Sequence, residues 1–323
     1  MQPIQSVDED AAFRAAKPGL RDSRGRTYAG VRQSLSPRWT AVWMQIATGW
    51  AVLILAVTLM AWTGGLFAVL FGSLVIGYAT HFLMLWFHEA AHFNIHPSRR
   101  INDALANAVM GIMLLQDIRR YREVHFGHHH LLGKTGDPEC SYFSPIDARF
   151  LFGAASGMNA LKVIIGRDQS IKKTGGSKYL NWVSLLGTAF HLSVLAGLML
   201  ADRPVAAISW IVGIGAVFPF LAIVRQALEH RRADADPTAD YTTVDHGAFS
   251  RNFGGGPIAS TLGGAGFNRH LIHHWDMTLS CTCFAEMERF LLDTELADFY
   301  RSRNNTYLKT FLALWRNDHY RAR

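Results

Sequence analysis

Cysteine is scarce in this chain: three residues in 323, at Cys140, Cys281 and Cys283. That is too few for a disulfide framework or for a four-cysteine iron–sulfur cluster. Cys281-Thr282-Cys283 offers two thiols, which read more simply as small buried hydrophobes than as a metal site. Charge is thin as well, at 18% of residues against 50% hydrophobic. Such a composition excludes a disordered or a collagen-like protein. A dinucleotide fingerprint is missing too. The glycine-rich run 254–266 lacks the G-x-G-x-x-G spacing and a strand-turn-helix setting, and reads as a flexible loop. Net charge is +7. In an apolar chain a basic excess marks the cytoplasmic faces of a membrane protein more often than a nucleic-acid surface, so no nucleic-acid partner is expected.

What the chain has in quantity is uncharged apolar sequence. Residues 39–62, 66–87, 182–201 and 205–224 contain no Asp, Glu, Lys or Arg. Each run is about the ~20 residues that cross ~30 Å of hydrocarbon as a helix. Only Thr63-Gly64-Gly65 separates the first two, and Asp202-Arg203-Pro204 the last two. These patterns predict an all-α integral membrane protein with four transmembrane helices in two hairpins (about 39–62, 66–87, 182–201 and 205–228) and a helical cytoplasmic cap. Lysine and arginine number 7 in residues 1–38, 12 in 88–181 and 11 from Glu229 onward, against none and one in the two turns. The positive-inside rule then places both termini and the long middle loop in the cytoplasm, and a bacterial inner membrane is the expected location. Residues 1–38 are read as a loose basic arm without a signal peptide, 39–290 as the membrane domain and 291–323 as a cytosolic tail. Two shorter apolar segments, 104–118 and 150–166, suit interfacial or re-entrant helices or core helices of the cap.

Fifteen histidines carry the functional signal. His88 and His92 are spaced i, i+4, which puts both imidazoles on one helix face. His125-Phe126-Gly127-His128-His129-His130 holds a second set. His125, His128 and His129 share a face at i, i+3, i+4; the other register, His125, His129 and His130, swings the last one away. His270, His273 and His274 repeat the i, i+3, i+4 spacing. His230 lies at the end of the fourth run, with Gln226 one turn before it. Nine imidazoles are too many for one zinc, which takes four ligands, and suit two metals. Nitrogen-rich sites without thiolate fit iron, copper or zinc by ligand type. His88-Glu89-Ala90-Ala91-His92 alone also matches the zinc metalloprotease signature. His81 and His191, inside spans, are expected to be packed hydrogen-bonders. His96 is a candidate to support a ligand, and His246 and His319 read as loop and surface residues.

The three boxes H-x(3–4)-H, H-x(2–3)-H-H and H-x(2–3)-H-H, interleaved with two hairpins of spans, resemble the membrane fatty-acid desaturase and hydroxylase superfamily over roughly residues 40–290. The resemblance implies a four-span fold with a cytoplasmic cap and a centre of two iron ions held mostly by histidines. By that likeness the ligands are His88, His92, His125, His128, His129, His230, His270, His273 and His274, and Gln226 stands where some members use a water-linked ligand. An Asp-Pro commonly follows the second box in acyl desaturases, and Asp137-Pro138 fits best if His129 closes that box. Glu89, Asp137 and Glu139 are candidates to orient ligand imidazoles through their second ring nitrogen. Two departures stand out. Trp275-Asp276-Met277 replaces a leucine-and-proline run common after the third box, and Glu89 stands where many acyl desaturases have Asp.

The activity implied is O2-dependent oxidation of an unactivated C–H bond in a lipid or other apolar substrate. Fatty-acyl desaturation is the reading taken here. Hydroxylation (a monooxygenase reaction) and oxidative decarboxylation are the alternatives, and a membrane zinc metalloprotease is the remote rival. The chain has no recognisable haem, flavin or nicotinamide motif. An external electron donor, a ferredoxin- or cytochrome-type carrier with its reductase, is therefore expected as partner.

Overall fold

A computed structural model describes residues 9–159, 161–162 and 181–321. The structure is 69% helix, without strands among the described residues. Among the described residues, four helices are long and apolar enough to cross a membrane: Trp39–Trp62, Leu66–Ala91, Trp182–Leu200 and Pro204–His230. The second runs four residues further than expected, so it carries His88 within its last turn. The chain divides into two compact units. One comprises Trp39–His125 and Ala148–Arg225, the other Met1–Arg38, Phe126–Asp147 and Gln226–Arg323. The boundary falls inside two helices, between His125 and Phe126 in Ile118–Leu131, and between Arg225 and Gln226 in the fourth span.

The first unit is built from the spans. The first two pair as a hairpin around Gly65, whose φ of +88° is open to glycine and costly for other residues. The second and fourth spans cross closely at Gly77 and Gly213. A Cβ on Gly77 would lie 2.5 Å from Val217 and 2.9 Å from the Gly213 carbonyl oxygen. Small residues let apolar helices approach where no hydrophobic drive exists between them. The fourth span is not regular. Pro219 has no N–H to give the Gly215 carbonyl, and the helix widens to π geometry over Gly213–Val217. Outward-facing side chains such as Phe67, Leu55 and Leu200 are exposed, as expected of helices whose solvent is hydrocarbon.

The segment expected over 104–118 folds as the helix Arg99–Ala106, a π turn Asn107–Gly111 and a short helix Ile112–Leu114. It belongs to the unit of the spans and packs on the third one. A Cβ on Gly187 would meet the Ile112 carbonyl at 2.3 Å, and Ser184 Oγ donates to Leu115 O at 3.0 Å. His191 bridges the same contact, 2.9 Å from Met113 O and accepting from Trp210 Nε1 at 3.2 Å, so it is packed as expected. Of the segment 150–166, the helix Ala148–Ala155 is seen; residues 160 and 163–166 lie outside the described residues.

The second unit differs from expectation at both chain ends. From Glu9 the arm is folded, with helices Glu9–Ala16 and Tyr28–Ser34 and with Phe13, Leu20 and Tyr28 buried. The apolar residues are sparse among basic ones, which hid the docking face. The C-terminal segment is also integral to this unit. Tyr300 and Leu314 are buried, and Tyr307 stacks on Phe253 at 3.8 Å.

Candidate metal centre

In the unit of the spans, His88 and His92 end the second span, and His125 comes from the helix Ile118–Leu131. Their ring centroids lie 4.1 Å apart for His88–His125, 4.9 Å for His92–His125 and 5.3 Å for His88–His92. All three are buried, and their ligand nitrogens lie within 4.8 Å of one another. His125 Nε2 and His92 Nε2 are 3.0 Å apart. Tyr121 stacks on His125 with an interplanar angle of 3°.

The last carbonyls of the second span are capped from outside the helix. Asn102 Nδ2 donates to Ala90 O at 2.8 Å, and Arg122 Nε to Ala91 O at 2.7 Å. These groups would otherwise be left unpaired at a buried helix end. Arg122 also pairs with Asp103 at 2.5 Å. Burial alone would raise the Asp103 carboxyl; the hydrogen bonds from Arg122 and Asn102 outweigh it and hold the group below its usual range. The one cation thus fixes both the span end that carries His88 and His92 and the helix that carries His125. Glu89 is fully buried and accepts from Asn94 Nδ2 at 3.1 Å.

The other unit holds the remaining candidates. His128, His230 and His274 place ligand nitrogens within 4.8 Å of one another, and so do Glu229, His230 and His270. His270 Nε2 lies 2.9 Å from His230 Nε2 and 3.1 Å from His274 Nε2. His129 Nε2 faces His273 Nε2 at 2.9 Å. Two of these rings are oriented from behind. His128 Nδ1 lies 2.9 Å from Asp137 Oδ2. That carboxylate also accepts from Tyr142 OH at 2.5 Å and from the Glu139 N–H at 2.8 Å. His230 Nδ1 lies 3.0 Å from Phe249 O. A proton on each Nδ1, donated to its acceptor, leaves each Nε2 lone pair to face the group. Burial, then the neighbouring imidazoles of His129, His230, His270 and His128, hold His274 well below its ordinary pKa, in the neutral form that binds metal.

Asp137 lies against the His128 ring. Glu139 instead accepts from Gln226 Nε2 at 3.0 Å, and Ser141 Oγ donates to Gln226 Oε1, which makes these three a linked set. His130 is exposed, whereas His128 and His129 join histidine groups. His96 accepts the Ser98 N–H at 3.0 Å, just ahead of the helix Arg99–Ala106. His81 is buried within the second span. His246 is sandwiched by Tyr241, Phe143 and Tyr142, with centroids at 4.6, 5.0 and 5.4 Å.

Two residues of the site are absent from the sequence reading. Glu229 lies 3.4 Å from His270 Nε2 and is buried; a carboxylate at the end of an otherwise acid-free run was the available signal. Tyr142 had none, because its role depends on a turn that brings it back to Asp137.

The donor set fits a cation on its own chemistry. Two Nε2 atoms 3 Å apart share one proton at most, and otherwise oppose lone pairs. With a metal ~2.1 Å from each nitrogen, neighbouring ligands come about 3.0 Å apart at a right angle and about 3.4 Å apart at a tetrahedral angle. The separations of 2.9–3.1 Å match the right angle. A family model described as Fatty acid desaturase matches residues 62–307. No curated protein matches the chain.

Proposed function

The chain belongs to the fatty acid desaturase family, and on that premise we propose that it is a membrane oxidoreductase. It uses two iron ions and O2 to oxidise an unactivated C–H bond of a fatty-acyl chain, introducing a double bond. The observation that carries this reading is the convergence of buried imidazole Nε2 atoms at right-angle spacing, which suits a six-coordinate ion such as iron better than tetrahedral zinc. The proposed ligands are His88, His92 and His125 in one unit, and His128, His129, His230, His270, His273 and His274 in the other. Iron, when bound, supplies the reduction of O2 and the oxidising power for C–H cleavage.

The residues of this chain do the rest. Asp137 keeps the proton of His128 on Nδ1, and Tyr142 keeps Asp137 in place. Phe249 O does the same for His230. Arg122 and Asn102 hold the end of the second span. Glu229 places a carboxylate beside His270, where it balances positive charge or accepts a proton. Burial of His88, His92, His125, His128, His230, His270 and His273 excludes bulk water that would quench a reactive oxidant.

Electron balance defines a partner. O2 takes four electrons to reach water, and the C–H substrate gives two. The other two come from a carrier with its reductase, because no motif for a flavin, haem or cluster is present in the sequence. The four apolar helices are long enough to cross a membrane, and the lysine and arginine bias supports an orientation with both termini on the cytoplasmic side. Mass spectrometry of lipids from cells grown under O2 with and without the gene tests the activity. Acyl chains lighter by two hydrogens are expected only in cells with the gene. Chains heavier by one oxygen would establish hydroxylation in place of desaturation, and an unchanged lipid profile would remove the acyl substrate.

A further inference from the structure

The third box is followed by Trp275-Asp276-Met277, the stretch that departs most from the expected pattern. The helix that carries the box, His270–Trp275, has six residues, and Asp276 is its C-cap. Six residues are far short of a helix stable by itself. A carboxylate at a helix C-terminus also faces the wrong end of the backbone dipole. Both defects are answered from the N-terminal arm, in the same unit. The Phe13 ring stacks on Trp275 at 4.3 Å with an interplanar angle of 6°. Tyr28 OH donates to Asp276 Oδ2 at 2.7 Å, and Arg32 Nε donates to the same oxygen at 3.1 Å. Lys17 Nζ stands 3.7 Å away. Arg32 continues to Thr278, reaching its carbonyl at 2.9 Å and its Oγ1 at 3.1 Å. Phe13, Tyr28 and Asp276 are all buried. Phe299 and Tyr300 also approach Trp275, at 5.9 and 6.2 Å.

We propose that the N-terminal arm is a positioning clamp for the third histidine box. Phe13, Tyr28 and Arg32 hold Trp275 and Asp276, and through them set the placement of His273 and His274. How tightly metal is held on this box then depends on residues more than 240 positions away in sequence. The clamp rests on the reading of the box as metal-binding.

The test uses the full chain, purified in detergent and loaded with ferrous iron. Variants are Phe13→Ala and the double change Tyr28→Phe with Arg32→Gln. Two quantities are read: the rate of iron release to a ferrous chelator, and the thermal unfolding midpoint of the metal-free protein. Release should quicken by about 10- to 100-fold, the range for losing a group that orients a metal ligand. The metal-free midpoint falls as well, because Phe13→Ala empties a buried site and the double change takes two donors from the buried Asp276 carboxylate. Release within about twofold of wild type overturns the clamp, since that is well under the loss expected for an orienting group. An equal quickening of release in Tyr307→Ala, which removes a buried aromatic stack of the same unit outside the arm, also overturns it, by making the arm a general stabiliser. Wild-type protein that retains no iron would remove the metal reading itself, and the clamp with it.

Discussion

His128 and His130 sit two positions apart on one helix and meet opposite surroundings. His128 is buried against Asp137, and His130 faces solvent. His128→Ala should therefore abolish turnover and lower bound iron, while His130→Ala should keep both near wild type. Iron content and product formation measured on the two variants decide it, and equal losses would favour the other register of the second box. His246 makes a separate residue-scale test. Burial, then the charges of Arg231 and Arg232, hold its pKa down to about 4 against the opposing pull of Asp137 and Asp245. A free histidine titrates near ~6.5. Between those values the unfolded chain takes up a proton that the folded one refuses, so this residue's contribution to stability falls as pH drops from ~6.5 through about 4 and levels off below. His246→Phe, compared with wild type as metal-free protein, should lose less of its thermal midpoint between pH 7 and pH 5. Equal losses in the two proteins would show that His246 is free to protonate.

Among the elements, the crossing of the second and fourth spans is an exacting contact. A side chain on Gly77 would meet the Gly213 carbonyl, and a backbone oxygen cannot swing aside as a flexible side chain can. Gly77→Val should destabilise the detergent-solubilised protein by about 1–3 kcal/mol, the usual cost of overpacking. A thermal midpoint equal to wild type would show that the spans do not cross as described. The helices themselves were legible because uncharged runs of this length have few other uses, and the histidine boxes because i, i+3, i+4 spacing survives any tertiary arrangement. Less was legible where meaning depends on a distant partner. The π turn at Gly213–Val217 follows from Pro219 acting on the carbonyl four residues earlier, a local cue masked by the apolar run around it. Tyr142 and the docked arm carry no periodic pattern, since each is defined by one contact made through tertiary folding, with Asp137 and with Asp276. Glu229 was visible as a residue, but only its 3.4 Å approach to His270 gives it a role.

For the whole molecule, the distribution of lysine and arginine carries a prediction independent of the site. Reporters fused at Gly64 and at Arg203, in the two short turns, should read as extracytoplasmic, and one at the C-terminus as cytoplasmic. A C-terminal reporter on the outer side would place the candidate ligands of the third box away from any cytoplasmic reductant, and would contradict the proposed electron supply. The central proposal is that this chain holds two iron ions on imidazole nitrogen. The most direct measurement is elemental analysis of the purified full chain, expressed with iron and zinc both in supply and compared with His92→Ala and His273→Ala, one from each unit. The account predicts two irons per wild-type chain, little zinc, and a loss of iron in both variants. One zinc per chain, lost in His92→Ala and kept in His273→Ala, would contradict it and return the chain to the metalloprotease reading.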